Sequence, residues 1–287
     1  MRYLRNLLNI PLIEFIIRLL ILCFCFVLVT LILGFVGISN PGAVGVPVLI
    51  TFIVFFSQLI LRFCQIKAES QLTHLGLSMS KVAIKNFLKG VALVFVVGVM
   101  TLLLELLLGW VRFKGFIWQS TSWVIINIGL TSILLVICRQ LTAGWWEELL
   151  FRGYLVQIPG TKNGFVLSAI VSSLIFGISH YLVPPNIPLE VVPIDIAIGL
   201  LLAYCYRKNG LWFTIGLHVA LNTIPNSFFG LTNSGISIIK LTYNFPNWAI
   251  ISGTLTQPWL LLFLFILAMF FVPSKSDYMI SADSMAI

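Results

Sequence analysis

Three short stretches of this chain carry side chains fit for acid–base chemistry. They are Glu147-Glu148-x-x-x-Arg152, Phe176-x-x-x-His180 and His218-x-x-x-Asn222. A carboxylate can hold a water and take its proton. An imidazole can help place that water, and a His–Asn pair can donate hydrogen bonds to the oxyanion of a tetrahedral intermediate. Such a set suits the hydrolysis of a peptide bond. Glu147, His180 and His218 also form a His₂Glu set, a composition known for catalytic zinc, whereas Asn222 is a poor zinc ligand and suits the oxyanion role better. At the level of sequence the direct and the zinc-assisted readings both stay open.

Spacing divides the labour within the first stretch. Glu148 and Arg152 stand at i and i+4 with the acid first, the favourable order for a helical ion pair. Glu147 lies about 100° further round the helix. The expectation is that Arg152 pairs with Glu148 and leaves Glu147 to bind water or a proton; the reverse assignment fits the same spacing. His218 and Asn222, again four apart, present to one side of a helix. The third histidine, His74, lies in a polar connection and is expected to be solvated.

These charges stand in a chain built for lipid. Of 287 residues, 60% are hydrophobic and only 9% charged, with a mean hydropathy of +1.08. That excludes an ordinary soluble domain and implies a polytopic membrane protein. An ionisable group at membrane depth costs several kcal/mol, roughly, unless it is paired or lines a wet cavity, so the Glu-Glu segment is expected to be functional. The net charge of +8 does not indicate nucleic acid, because the basic residues are short clusters between apolar runs. None of the five cysteines forms a CxxC pair, and they are expected to act as small buried hydrophobes.

The elements that must position the motifs follow from the apolar runs. Spans of about 20 residues are expected near 13–37, 44–63, 87–108, 122–138, 164–182, 191–206, 211–229 (interrupted by Pro225) and 248–272. The first, preceded by Arg2 and Arg5, is long for a signal peptide and is read as a retained span. Ser78-Met79-Ser80 is expected to cap the helix entering the third span. The Glu-Glu segment reads as a helix from about Thr142 to Gln157, either re-entrant or extending the fourth span. Arg112 and Lys114 are placed in one polar loop, and Asn233, Lys240 and Asn244 in another. Glu105 is expected at the interface.

The fold class expected is all-α, a bundle of about eight spans around an intramembrane cavity. With both termini in the cytoplasm, that side receives Arg2, Arg5, Arg62, Lys67, Lys81, Lys85, Lys89, Arg139, Lys162, Arg207, Lys208 and Lys275, and the opposite side only Arg112, Lys114 and Lys240. The bias supports that orientation. Three regions are expected: N-terminal helices over 1–121, a catalytic helical core over 122–230, and a C-terminal span and tail over 231–287.

In their order and spacing the three motifs resemble those of the CPBP intramembrane proteases, the CAAX prenyl-protease, abortive-infection and bacteriocin-processing group. The flanking Phe151-Arg152-Gly153-Tyr154-Leu155 and Asn209-Gly210-Leu211-Trp212 are similar too, and the likeness spans about residues 140–225. It implies an endopeptidase acting on a membrane-associated protein or peptide, with a cavity open toward the cytoplasm. By motif position, Glu147 would be the general base, His180 would help hold the water, His218 and Asn222 would form the oxyanion hole, and Glu148 and Arg152 would support them. The family is labelled metalloprotease, and the set can equally be read as a metal-free glutamate site, which is favoured here. No cofactor is required by that reading, and zinc is the one possible. The partners implied are the substrate and the bilayer, not nucleic acid. A proton-coupled transporter, relaying protons through the same Glu, His and Arg residues, is the alternative, although no matching half-repeat is present.

Overall fold

The apolar runs fold as helices because a backbone in lipid has no water to satisfy its N–H and C=O groups. The computed structural model describes residues 11–35, 42–63, 76–77, 79–120, 122–156, 162–182, 189–231, 236–244, 263 and 265–267. His74, the polar connection around it, nearly all of the expected last span and both ends of the chain lie outside the described residues. Seven α-helices are described: α1 Pro11–Phe35, α2 Gly42–Phe63, α3 Lys81–Leu107, α4 Trp123–Glu148, α5 Lys162–Leu182, α6 Val192–Asn209 and α7 Leu211–Thr223. Three helical stretches, Lys81–Leu107, Trp123–Tyr154 and Gly164–Tyr181, are long and apolar enough to cross a membrane, and Ile16–Val29 and Val48–Ile60 are shorter apolar stretches. A helical membrane fold stands; eight spans are more than these residues establish.

The chain forms two compact units, Met1–Ala83 with Thr142–Tyr204, and Ile84–Leu141 with Cys205–Ile287. In the first, α1 packs on α2 and α5. Arg18 of α1 and Ser57 and Gln58 of α2 are buried polar side chains within otherwise apolar runs. The Tyr154 hydroxyl donates to the Arg18 carbonyl (3.1 Å), which ties α1 to the segment after α4. Helices α5 and α6 approach closely through small residues. A Cβ on Gly177 would lie 3.0 Å from the Val192 carbonyl oxygen, and one on Gly199 would lie 2.8 Å from the Ser173 Cβ.

In the second unit the tightest approach is between α3 and α7. A Cβ on Gly90 would stand 2.3 Å from the Phe213 carbonyl oxygen, and one on Gly216 only 2.1 Å from that of Phe87. Backbone cannot move aside as a side-chain tip can, so these glycines set the helix separation. The Ser80 hydroxyl accepts from the Ala83 N–H (3.1 Å), as an N-cap to α3 should.

The helical fold carries one addition: Val111–Phe116 (β1) pairs antiparallel with Ile239–Tyr243 (β2), where two loops were expected. Glu105, near the end of α3, is fully buried against the protein. It lies close enough to Tyr243 that burial first, and its negative charge second, push the tyrosine hydroxyl up to about 12. Of the described cysteines, Cys25 and Cys205 are buried, but Cys23 and Cys138 are exposed, as apolar-compatible side chains on a lipid-facing surface can be.

Candidate active site

The Glu-Glu segment extends the fourth span. Helix α4 runs unbroken from Trp123 to Glu148, so the two carboxylates occupy its last two positions and are not on a re-entrant hairpin. The chain then widens into a π-helical turn, Leu149–Tyr154, with the Leu155 N–H bonded to the Leu150 carbonyl (3.0 Å). Such wide turns are less stable than α-helix and recur at functional sites. Contacts to other elements of the same unit accompany this one. The Ser172 hydroxyl donates to the Phe151 carbonyl (2.7 Å), and Tyr154 donates to α1 as described.

Within this turn Arg152 and Glu148 form a short ion pair. Arg152 Nη1 donates to Glu148 Oε1 at 2.7 Å, and both side chains are at most 1% exposed. Arg152 Nη2 also reaches the Gly199 carbonyl of α6 (3.3 Å). Its guanidinium lies 4.5 Å from the Phe176 ring centroid and 5.9 Å from that of Phe151. Buried cations are tolerated only with such a complement of acceptors and π-faces.

The neighbouring carboxylate stands differently. Glu147 Oε2 is 3.6 Å from His180 Nε2, beyond direct hydrogen-bond range, and the imidazole is one-third exposed. His180 Nδ1 lies 2.8 Å from the Phe176 carbonyl oxygen, one helical turn back on α5. A carbonyl only accepts, so Nδ1 carries a proton, and in the neutral ring Nε2 is left as an acceptor. The Phe176 ring packs on both partners' neighbours, 4.4 Å from the His180 ring and 5.1 Å from Phe151. One phenylalanine therefore touches the arginine of the ion pair and the histidine facing Glu147.

His218 and Asn222 belong to the second unit. Both lie on α7, whose placement is set by Gly216 two residues before the histidine. His218 is buried and Asn222 exposed. The Asn222 amide donates to Gln140 Oε1 on α4 at 3.0 Å, which leaves its second N–H hydrogen for another acceptor. After Thr223 the helix gives way to a second π-turn, Ile224–Phe228, at Pro225, whose missing N–H breaks the α-ladder.

The structure thus brings Glu148 to Arg152 and Glu147 to His180 within one unit, and His218 and Asn222 onto one helix of the other. Sequence reasoning did not single out Gln140, Ser172 or Arg18. For Arg18 a signal existed, since an arginine inside an apolar run marks a constrained position. Of the His₂Glu set, Glu147 and His180 share the first unit and His218 belongs to the second. Among the described residues no three His, Cys, Asp or Glu side chains are grouped as metal ligands.

Residues 129–224, which include every residue of the three motifs, match the family described as type II CAAX prenyl endopeptidase Rce1-like. No curated protein and no solved structure matches the chain.

Proposed function

With residues 129–224 Rce1-like, we propose that this chain is a CAAX-type intramembrane endopeptidase whose water is activated by Glu147 with His180. The observation that carries the reading is the 3.6 Å separation of Glu147 Oε2 from His180 Nε2, with Nδ1 committed to the Phe176 carbonyl. A water within hydrogen-bonding distance of both atoms has two acceptors to satisfy and donates one proton to each. Its lone pairs are then free to attack a carbonyl carbon. Glu147 takes one proton as the bond forms and returns it to the departing amine.

His218 and Asn222 are the proposed oxyanion donors. Gln140 holds one hydrogen of the Asn222 amide and so orients the other, making Gln140 a positioning residue. Glu148 and Arg152 act through the backbone. Their ion pair clamps the π-turn that follows Glu147, and Phe176 carries that rigidity to His180. The proposed catalytic core is 122–230, with both termini on the cytoplasmic side as the basic residues favour. No step requires a metal.

The test uses the purified protein in lipid nanodiscs with a farnesylated CAAX peptide and, in parallel, a non-prenylated membrane peptide. Wild type is expected to cleave the first, and Glu147→Ala to cleave neither while remaining folded and inserted. Undiminished cleavage by that variant removes Glu147 as the base. Zinc at one per chain, with activity lost on chelation and restored on re-addition, would replace the glutamate mechanism by a metal one. Uptake driven by a proton gradient, without any cleavage, would replace the protease reading altogether.

A further inference from the structure

The ribbon of β1 and β2 has two chemically distinct faces. Arg112 pairs across to Thr242, and Lys240 stands two residues from Thr242 on the same face. Lys114, two residues from Arg112, is the residue at the register shift between Phe113 and Gly115. Val111, Phe113, Ile239, Leu241 and Tyr243 alternate with these residues and form the other face. Arg112, Lys114 and Lys240 are all exposed. The apolar face packs inward at one end, where Val111 is buried and the Tyr243 hydroxyl donates to the Gly230 carbonyl.

Among the described residues no carboxylate forms an ion pair with these cations. There is no Asp or Glu between Glu105 and Glu147, nor between Asp195 and Asp277. Glu105 is fully buried, and the group it influences is Tyr243 on the opposite, apolar face. The ribbon also has a fixed depth. β1 lies between α3 and α4, both long enough to cross a bilayer, so it sits where the chain turns at one membrane face. Around it are exposed large side chains: Leu107, Phe113, Trp118 and Trp123 are each more than half exposed. Trp118 stacks on Phe116 (4.6 Å, 6° between planes), and Phe116 packs edge-on to Phe113 (5.1 Å). Tryptophan at such a position belongs to the headgroup layer, ring in the acyl boundary and N–H toward water.

From these observations we infer that the β1–β2 ribbon is a docking surface for anionic phospholipid headgroups. The aromatic rim places the ribbon at headgroup depth, and Arg112, Lys114 and Lys240 then lie within side-chain reach of lipid phosphates. The partner is lipid rather than an acidic protein because the ribbon's roots are the two membrane-crossing helices themselves. A phosphate layer is therefore present at that level at all times. Each cation near such a surface contributes about a fivefold preference for anionic lipid.

The test compares the full chain in nanodiscs of phosphatidylcholine alone and of equal parts phosphatidylcholine and phosphatidylglycerol. Wild type is expected to melt at higher temperature in the mixed discs, and added salt to shrink that gain. The combined variant R112Q/K114Q/K240Q is expected to match wild type in pure phosphatidylcholine and to lose the gain in mixed discs. Its preference for phosphatidylglycerol, read by native mass spectrometry, should fall about fivefold per cation removed. Should the combined variant unfold in phosphatidylcholine, Lys240→Gln alone, on the exposed face, takes its place with the single fivefold loss expected. A phosphatidylglycerol gain undiminished in the variants overturns the inference. So does a variant that keeps the lipid gain but fails to bind a protein substrate in pure phosphatidylcholine, which would assign the ribbon to an acidic protein. Peptidase activity is a separate readout, so an inactive protein leaves this lipid measurement intact.

Discussion

Glu147 and Glu148 are adjacent in sequence and identical in chemistry, yet their surroundings differ in kind. Glu148 is shut in a 2.7 Å pair with Arg152, which in turn is braced by the Gly199 carbonyl and the Phe176 face. Glu147 faces His180, whose imidazole is one-third exposed, across 3.6 Å. The closed pair is joined by a direct hydrogen bond. The open pair stands beyond that range, with an acceptor nitrogen opposite the carboxylate. Two neighbouring carboxylates acquire two sets of surroundings because about 100° of helix turns them toward different partners.

Exchanging the two sites should break this contrast most sharply. Glu147→Gln is expected to lower kcat by about 10²–10⁴-fold, the usual contribution of a general base, with the melting temperature unchanged. Stopped-assay kinetics and a thermal melt on the same preparation check both halves. Arg152→Met should do the reverse. Leaving Glu148 buried without its cation is expected to cost about 3–5 kcal/mol of stability, whereas the double variant Glu148→Leu with Arg152→Met should recover much of it. A melt in detergent decides; equal losses in single and double variants would mean that the pair is not a coupled unit.

Phe176→Leu removes the ring that touches both pairs. About 2 kcal/mol of stability is expected to go with the Arg152 contact, and kcat should fall with KM unchanged as His180 loses its backing. An unchanged kcat would confine Phe176 to packing. The smallest effect is expected at Gln140. Gln140→Leu removes one hydrogen bond to Asn222, about 1 kcal/mol, and should lower kcat about fivefold while leaving KM unchanged. Gln140→Glu, which keeps an acceptor, should restore part of the rate.

What could be read early and what could not follows from range. The Glu148–Arg152 pair was legible because i and i+4 are neighbours on any helix, whatever the tertiary structure. The approach of His180 to Glu147 joins residues 33 positions apart and depends on how α5 packs beside the π-turn. The Asn222–Gln140 bond spans 82 positions. Without the chain's path, nothing marks Gln140 as different from any glutamine at a helix boundary.

The missed sheet has a similar cause. Val111-Arg112-Phe113-Lys114 alternates apolar and charged residues as a half-exposed strand does, but it is short, and a single strand has no stability of its own. Its partner Ile239–Tyr243 lies more than 120 residues later, so the pairing is decided by where α3, α4 and α7 end. The seven described helices, by contrast, follow from apolar length alone, since lipid leaves the backbone no other way to satisfy itself. Composition and local spacing thus determined that this is a helical membrane chain, which residues are candidates for chemistry, and that Arg152 takes Glu148. Only tertiary packing decided that His180 faces Glu147 and not its neighbour, that a π-turn carries the ion pair, and that two distant polar segments close into a cationic ribbon. Those contacts join parts of the chain too far apart for helical periodicity to relate.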